Sequence, residues 1–226
     1  MSDLNHRARP DELTVCMTGA THTGSTLIGL LLNAHPQISC VGELHALQGN
    51  YIGGKPCTCG LPLVECDFSR GVQDEARRVS GNRIKSLADL RTQPEPGERK
   101  RLQKIGRLLQ APLLAAGSSA IYQFSRLLDP VQHEAAANSV MLIDAVRRSA
   151  GTPIDVDTTK WARHWRAMAA LDEQRFRLLY VMRDGRALAA SAKRRRGAAA
   201  ADYAREWVAT HRAIAAYISQ LDSRRI

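Results

Sequence analysis

Leu13-Thr-Val-Cys-Met-Thr18, then Gly19-Ala-Thr-His-Thr-Gly24, then Ser25-Thr-Leu-Ile-Gly-Leu-Leu-Leu-Asn33 is the stretch on which the fold turns. The first segment is apolar and β-favouring, and predicts a buried strand. The second has glycine at both ends and polar residues between, the composition of a turn. The third reads as a helix stopped at His35-Pro36, because the residue before a proline is pushed out of the helical region. A strand, a glycine-bounded turn and a helix in that order make an anion cradle. The glycines let backbone N–H groups converge, and the helix start adds about half a positive charge.

Gly19-x-x-x-x-Gly24 has the spacing of the Walker A loop, G-x-x-x-x-G-K-S/T. Ser25 stands where that loop carries lysine, and Thr26 follows. A nucleoside triphosphatase needs the lysine on its β- and γ-phosphates, so ATP or GTP chemistry is disfavoured. What remains is a loop suited to one bound phosphate. A Gly-Ser-Thr turn can also serve only to cap a helix. A second anion site decides between the two readings.

Further strands are predicted over Ile38 to Val41, ending at Gly42-Glu43, over Pro153 to Val156, and over Phe176 to Met182. Helices follow over Trp161 to Leu171, Gly185 to Lys193 and Ala199 to Gln220. Strands alternating with helices imply an α/β fold, a three-layer parallel sheet with a P-loop-like nucleotide site. Residues 69–150 carry helical patterns at Gly71 to Val79, Arg99 to Leu114 and Val131 to Arg148, broken by a linker at Arg91 to Gly97. They are expected to form an inserted helical cap over the carboxyl edge. One domain is expected over 1–226, with the α/β core in 13–66 and 153–222, and a loop over Gly49 to Gly60.

A chain of 226 residues suffices for one such core and is short for two. Hydrophobic content of 44% and charged content of 24% exclude wholesale disorder. The net charge of +10 favours an anionic partner. Aromatics at 5% supply few platforms for stacking single-stranded bases, so nucleic acid is not the expected partner. The polar stretch Met1 to Glu12 has no secretory h-region, and the longest apolar run, Leu27 to Leu32, is too short for a bilayer. No membrane span and a cytoplasmic location are therefore expected, with the five cysteines as thiols.

The second anion site is Val181-Met-Arg183-Asp-Gly-Arg186-Ala-Leu-Ala-Ala-Ser191, at another strand-to-helix junction. Ser191 lies eight residues beyond Arg183, about two helical turns. A guanidinium fork with a hydroxyl can clamp a phosphate.

With both sites in view, the chain resembles the sulfotransferases that depend on 3′-phosphoadenosine-5′-phosphosulfate, in particular their bacterial members. Their first loop, Lys/Arg-Ser-Gly-Ser/Thr-Ser/Thr, is similar to His22-Thr23-Gly24-Ser25-Thr26. Their arginine and serine eight positions apart are similar to Arg183 and Ser191, and their R-D-P-R-A to Arg183-Asp-Gly-Arg-Ala187. Asp157-Thr-Thr-Lys160 resembles their D-S-S-K, and His35-Pro36 with Gly42-Glu43 their H-P-x(5)-G-E run. The likeness covers about residues 13–66 and 153–215.

The resemblance implies transfer of a sulfuryl group from that cosubstrate to a hydroxyl or amine, leaving adenosine 3′,5′-bisphosphate. The acceptor would be a small molecule, glycan or peptide, no metal would be required, and a homo-oligomer is compatible. It implies that His22 to Thr26 hold the 5′-phosphosulfate, and that Arg183 and Ser191 hold the 3′-phosphate. His22 stands where the family has lysine or arginine. Histidine donates a hydrogen bond when neutral and carries charge when protonated. Its alternative is a passive place in the loop, with Lys160 or Arg183 supplying the charge.

Glu43 is implied as the general base. A structural carboxylate is its alternative, and His45 is the competing base, with an intrinsic pKa nearer neutrality. Lys160 is placed to approach the sulfuryl group, or is a surface lysine. Trp161 and Trp165 share a helix face, for core packing or adenine stacking. The basic run Lys193-Arg-Arg-Arg196 reads as a guide for the 3′-phosphate or as a solvated face.

Cys57-Thr-Cys59-Gly-x(5)-Cys66 offers three thiols, with Cys40 or His45 as a distant fourth zinc ligand. The spacing departs from the usual zinc pair, and loop packing is preferred over a zinc site or a local disulfide. Two other functions fit parts of the chain: a P-loop kinase-like enzyme, and a non-catalytic module that binds polyanions or nucleic acid.

Overall fold

β1 (Leu13–Thr18) and α1 (Ser25–Asn33) form at the bounds read from the sequence. The computed structural model describes residues 12–93, 130–160, 162–172, 174–196, 199–219, 221 and 226. After α1 come β2 (Ile38–Gly42), α2 (Leu47–Ile52), α3 (Asp67–Val79) and α4 (Pro130–Ala150). The remainder is β3 (Ile154–Lys160), α5 (Ala162–Ala169), β4 (Phe176–Tyr180), α6 (Gly185–Arg196) and α7 (Ala200–Ile218). The four strands make one all-parallel sheet in the order β2-β3-β1-β4.

Alternation along the strands splits the core into two faces. Cys16, Phe176 and Leu178 enter one cluster, with Val72 and Ala76 of α3, Leu142, Ile143 and Val146 of α4, and Trp165 and Met168 of α5. Val15, Met17, Val156 and Val181 enter the other, against Ile28 and Leu32 of α1. Handedness accounts for the split. The chain leaves β1 toward β2 in one direction and returns through β3 to β4 in the other, and right-handed crossovers put those helices on opposite faces. The molecule is α/β, with helices on both sides of the sheet.

α3 and α4 belong to what reads in sequence as a cap, yet α4 lies on a face of the sheet, with α3 packed against it. The reason is topological: the link from β2 to β3 must cross a face, and α4 supplies the apolar side that does so. The helix expected at Arg99 to Leu114 lies outside the described residues. Among the described residues no helix is long and apolar enough to cross a membrane.

The amino ends of the strands are locked by a buried ionic network. Arg147 pairs with Asp144, with Glu12 at 3.1 Å and with Asp155 at 3.8 Å, and Arg175 reaches Asp144 at 2.8 Å. Ser39 Oγ donates to Asp155 Oδ1 at 2.5 Å, and Arg175 Nε donates to Thr14 Oγ1 at 3.1 Å. These contacts join the starts of β1, β2, β3 and β4 to the end of α4. Burial nevertheless pushes the Asp155 carboxyl up to about 7.

Candidate functional site

At the opposite edge the parallel register aligns the strand ends, with Thr18 beside both Lys160 and Tyr180, and Gly42 beside Asp157. The order β2-β3-β1-β4 places the reversal of chain direction beside β1, where ligands gather in open α/β sheets. Val181 N donates to Thr18 O at 2.8 Å, so β1 and β4 leave the sheet side by side. Gly19 permits that approach, since a Cβ there would lie 2.4 Å from the Val181 carbonyl oxygen.

The loop then enters α1 through Gly24, which caps the helix in the left-handed region at φ 95° with no capping side chain. The first-turn residues Ser25, Thr26 and Leu27 line an open cleft of about 530 Å³, with Thr21, His22, Glu43, Lys160, Arg183 and Ser191. The cleft thus joins the β1–α1 loop, the ends of β2 and β3, and the β4–α6 junction. Its size is that of a nucleotide or drug-sized ligand. Thr23 is the one proposed site residue that does not line it. Its hydroxyl donates to Ala20 O at 3.1 Å inside the loop, which it braces from within.

His22 and Lys160 adopt positive φ, at 64° and 65°. Among the described residues only Asn82 shares this with them outside glycine. Side chains with a Cβ rarely hold this conformation, and residues that do concentrate at functional sites.

Lys160 Nζ donates to Glu43 Oε1 at 2.8 Å, its own side chain 17% exposed and that of Glu43 43%. Buried Asp157 builds the pair's frame. Its Oδ1 accepts from Leu44 N at 3.3 Å, Thr159 N at 2.9 Å and Thr159 Oγ1 at 2.5 Å. The turn after Glu43 and the strand before Lys160 therefore hang on one carboxyl group, which burial pushes up to about 6 against those hydrogen bonds. Thr92 closes the turn from the other side, donating to Leu44 O at 2.8 Å.

Arg183 is exposed and its Nη1 donates to His22 O at 3.2 Å, so the β1–α1 loop and the β4–α6 junction touch. Trp207 of α7 donates its Nε1–H to Arg183 O at 3.1 Å while its ring packs over Gly185. Arg186 pairs instead with Asp184 at 2.7 Å and holds that carboxyl down to about 2. Lys193 and Arg194 are exposed on α6.

His45 is half-buried, does not line the cleft, and has its pKa lowered chiefly by burial. Trp165 is core, which settles its packing role, and Trp161 lies outside the described residues. Cys57, Cys59 and Cys66 come together, their sulfurs all within 4.8 Å of one another, without Cys40 or His45.

Asp157 and Trp207 are the positioning residues the sequence reading passed over. Asp157 sits inside the quoted D-T-T-K segment, which gave a signal by resemblance alone. Trp207 gave none, because its place depends on how α7 folds back on the β4–α6 junction.

Comparison with protein-family models, with characterised proteins and with solved structures finds no match to this chain. The chemistry must be argued from the cleft. It offers uncapped helix N–H donors, a guanidinium, an ammonium and a hydroxyl to an anion, with one carboxylate beside the ammonium.

Proposed function

We propose that the chain is a sulfotransferase that binds 3′-phosphoadenosine-5′-phosphosulfate in this cleft and passes the sulfuryl group to a hydroxyl or amine. The observation that carries the reading is that His22, Gly24, Ser25 and Thr26 share one cleft with Arg183, Ser191, Glu43 and Lys160, although they lie in four separate stretches of sequence. A cosubstrate with phosphate at both ends of one adenylate needs two anion sites a short distance apart. The α1 start with His22 suits the 5′ end, and Arg183 with Ser191 suits the 3′ end.

The residues divide the work in the following way. Glu43 accepts the acceptor's proton as its oxygen or nitrogen bonds to sulfur and the sulfur–oxygen bond to the 5′-phosphate breaks. His22 and the first-turn N–H groups stabilise the charge left on that phosphate. Lys160 orients the Glu43 carboxylate at 2.8 Å and offers its other N–H donors to the transferring oxygens. The acceptor is a small molecule, glycan or peptide; no nucleic acid is called for.

The test is a calorimetric titration with adenosine 3′,5′-bisphosphate, and with adenosine 5′-monophosphate for comparison. A preference of about tenfold or more for the bisphosphate is expected, since one charge-assisted phosphate clamp separates the two. Equal affinities would remove the proposed role of Arg183 and Ser191. Magnesium-dependent turnover of ATP without affinity for the bisphosphate would transfer the cleft to kinase-like chemistry.

A further inference from the structure

The segment 53–66 between α2 and α3 has no apolar interior of its own. Cys66 is its only buried side chain, and Leu61 and Val64 are 48% and 42% exposed. Its backbone is nonetheless folded tightly on itself. Cys57 N donates to Leu61 O at 2.7 Å, Gly60 N to Cys57 O at 2.9 Å, and Leu63 N to Lys55 O at 2.9 Å. Pro56 and Pro62 form an antiparallel bridge, and Gly60 turns the chain at φ 89°. This turn delivers Cys57 and Cys59 to Cys66, the residue that caps α3.

The three sulfurs lie within 4.8 Å of one another, with Cys57 and Cys66 at 3.4 Å. Tetrahedral zinc with bonds of about 2.3 Å requires sulfurs about 3.8 Å apart. The Cys57–Cys66 separation of 3.4 Å is close to that value, and the 4.8 Å limit on the others keeps all three sulfurs within reach of one ion. A disulfide would use two of the thiols and leave unexplained why the third converges on the same point. Among the described residues this is the only cluster of three or more histidine, cysteine, aspartate or glutamate side chains with ligand spacing. Thiolates select a soft or borderline ion over magnesium or calcium.

We propose that Cys57, Cys59 and Cys66 bind one zinc ion, with solvent in the fourth position, and that the ion clips the end of α2 to the start of α3. This departs from the sequence expectation of no metal. Each thiol gives up its proton as it binds, and no electron moves. A short loop that buries almost nothing gains its order from the cross-link, as small metal-bound modules do.

The experiment uses the full chain, purified under reducing conditions and without nucleotide, so that its outcome is separate from that of the sulfotransferase reading. Elemental analysis is expected to find one zinc per chain. Cobalt added to the metal-stripped chain is expected to give a sulfur-to-cobalt charge-transfer band that saturates at one equivalent and is displaced by zinc. Cys57→Ser and Cys66→Ser should lose the band, and Cys40→Ser should keep it. Should those variants fail to fold, alkylation of the wild type supplies the second measurement: zinc should protect Cys57, Cys59 and Cys66 and leave Cys40 unaffected. A folded, reduced wild-type chain with no zinc and no such band overturns the proposal. So does a Cys57–Cys66 disulfide persisting under those conditions, or unchanged metal content in a folded Cys66→Ser variant.

Discussion

His22 and Lys160 each hold a backbone conformation that costs a residue with a Cβ about 1–2 kcal/mol. Both line the cleft, and Lys160 is further tied by its carbonyl, which accepts from Thr18 Oγ1 at 3.2 Å. The surrounding contacts therefore hold these side chains in place despite local strain. Arg183 is different: it is exposed, and its guanidinium donates to the backbone oxygen of His22. Arg183→Ala is expected to weaken adenosine 3′,5′-bisphosphate binding about 10- to 100-fold, the worth of one charge-assisted clamp. Its melting temperature should stay near that of the wild type, and one calorimetric titration with one thermal scan checks both. Glu43→Gln should lower kcat by about 10²- to 10⁴-fold while leaving bisphosphate affinity nearly unchanged. Turnover close to wild type in that variant would return Glu43 to the role of a structural partner for Lys160.

At the scale of elements, the two ends of the β1–α1 loop need glycine for different reasons. Gly19 faces a backbone oxygen that cannot step aside, whereas Gly24 faces nothing within 4 Å and needs only its positive φ. Gly19→Ala should therefore cost about 1–3 kcal/mol of stability, as overpacked sites do, and should also lower bisphosphate affinity by parting the β1 and β4 exits. Gly24→Ala should cost about 1–2 kcal/mol through backbone strain alone. Urea denaturation of both variants, with a bisphosphate titration of each, separates clash from strain. β1 and α1 were legible to the residue because hydrophobic pattern and turn chemistry agreed there. β3 was not. Its reading stopped at Val156, yet the strand runs on through Asp157, Thr158 and Thr159, all buried. Polar residues in a strand signal its end in sequence, and here Asp157 and Thr159 are buried because their mutual hydrogen bond and the Leu44 turn satisfy them. α2 was missed for a related reason, its Gly49 reading as loop.

For the whole molecule, buried ionisable groups set opposing pH dependences. His164 is buried, and burial holds its pKa down to about 4, so it stays neutral in the fold while the unfolded chain protonates near 6.5. Its contribution to stability is present above about 6.5 and is lost as pH falls toward 4, at up to about 1.4 kcal/mol per pH unit. Asp155 runs the other way. Raised to about 7 from 3.8, it favours the fold below about 4 and loses that contribution as pH rises to 7. Denaturation at several pH values between 4 and 7 should show His164→Leu gaining on the wild type as the medium is acidified, and Asp155→Asn gaining as it is made more alkaline. Slopes of the same sign for the two variants would contradict the account.

Sequence alone determined that a strand, a glycine turn and a helix stand in that order, and that an arginine and a serine eight positions apart follow another strand. Those are local matters of periodicity, glycine freedom and helix polarity, complete within a dozen residues. Only the tertiary structure decided that the two junctions meet, that Lys160 faces Glu43 across 117 positions of sequence, and that Asp157 and Trp207 hold them there. Strand order and burial govern these contacts, and neither can be read from one segment, because each depends on what the rest of the chain packs against it.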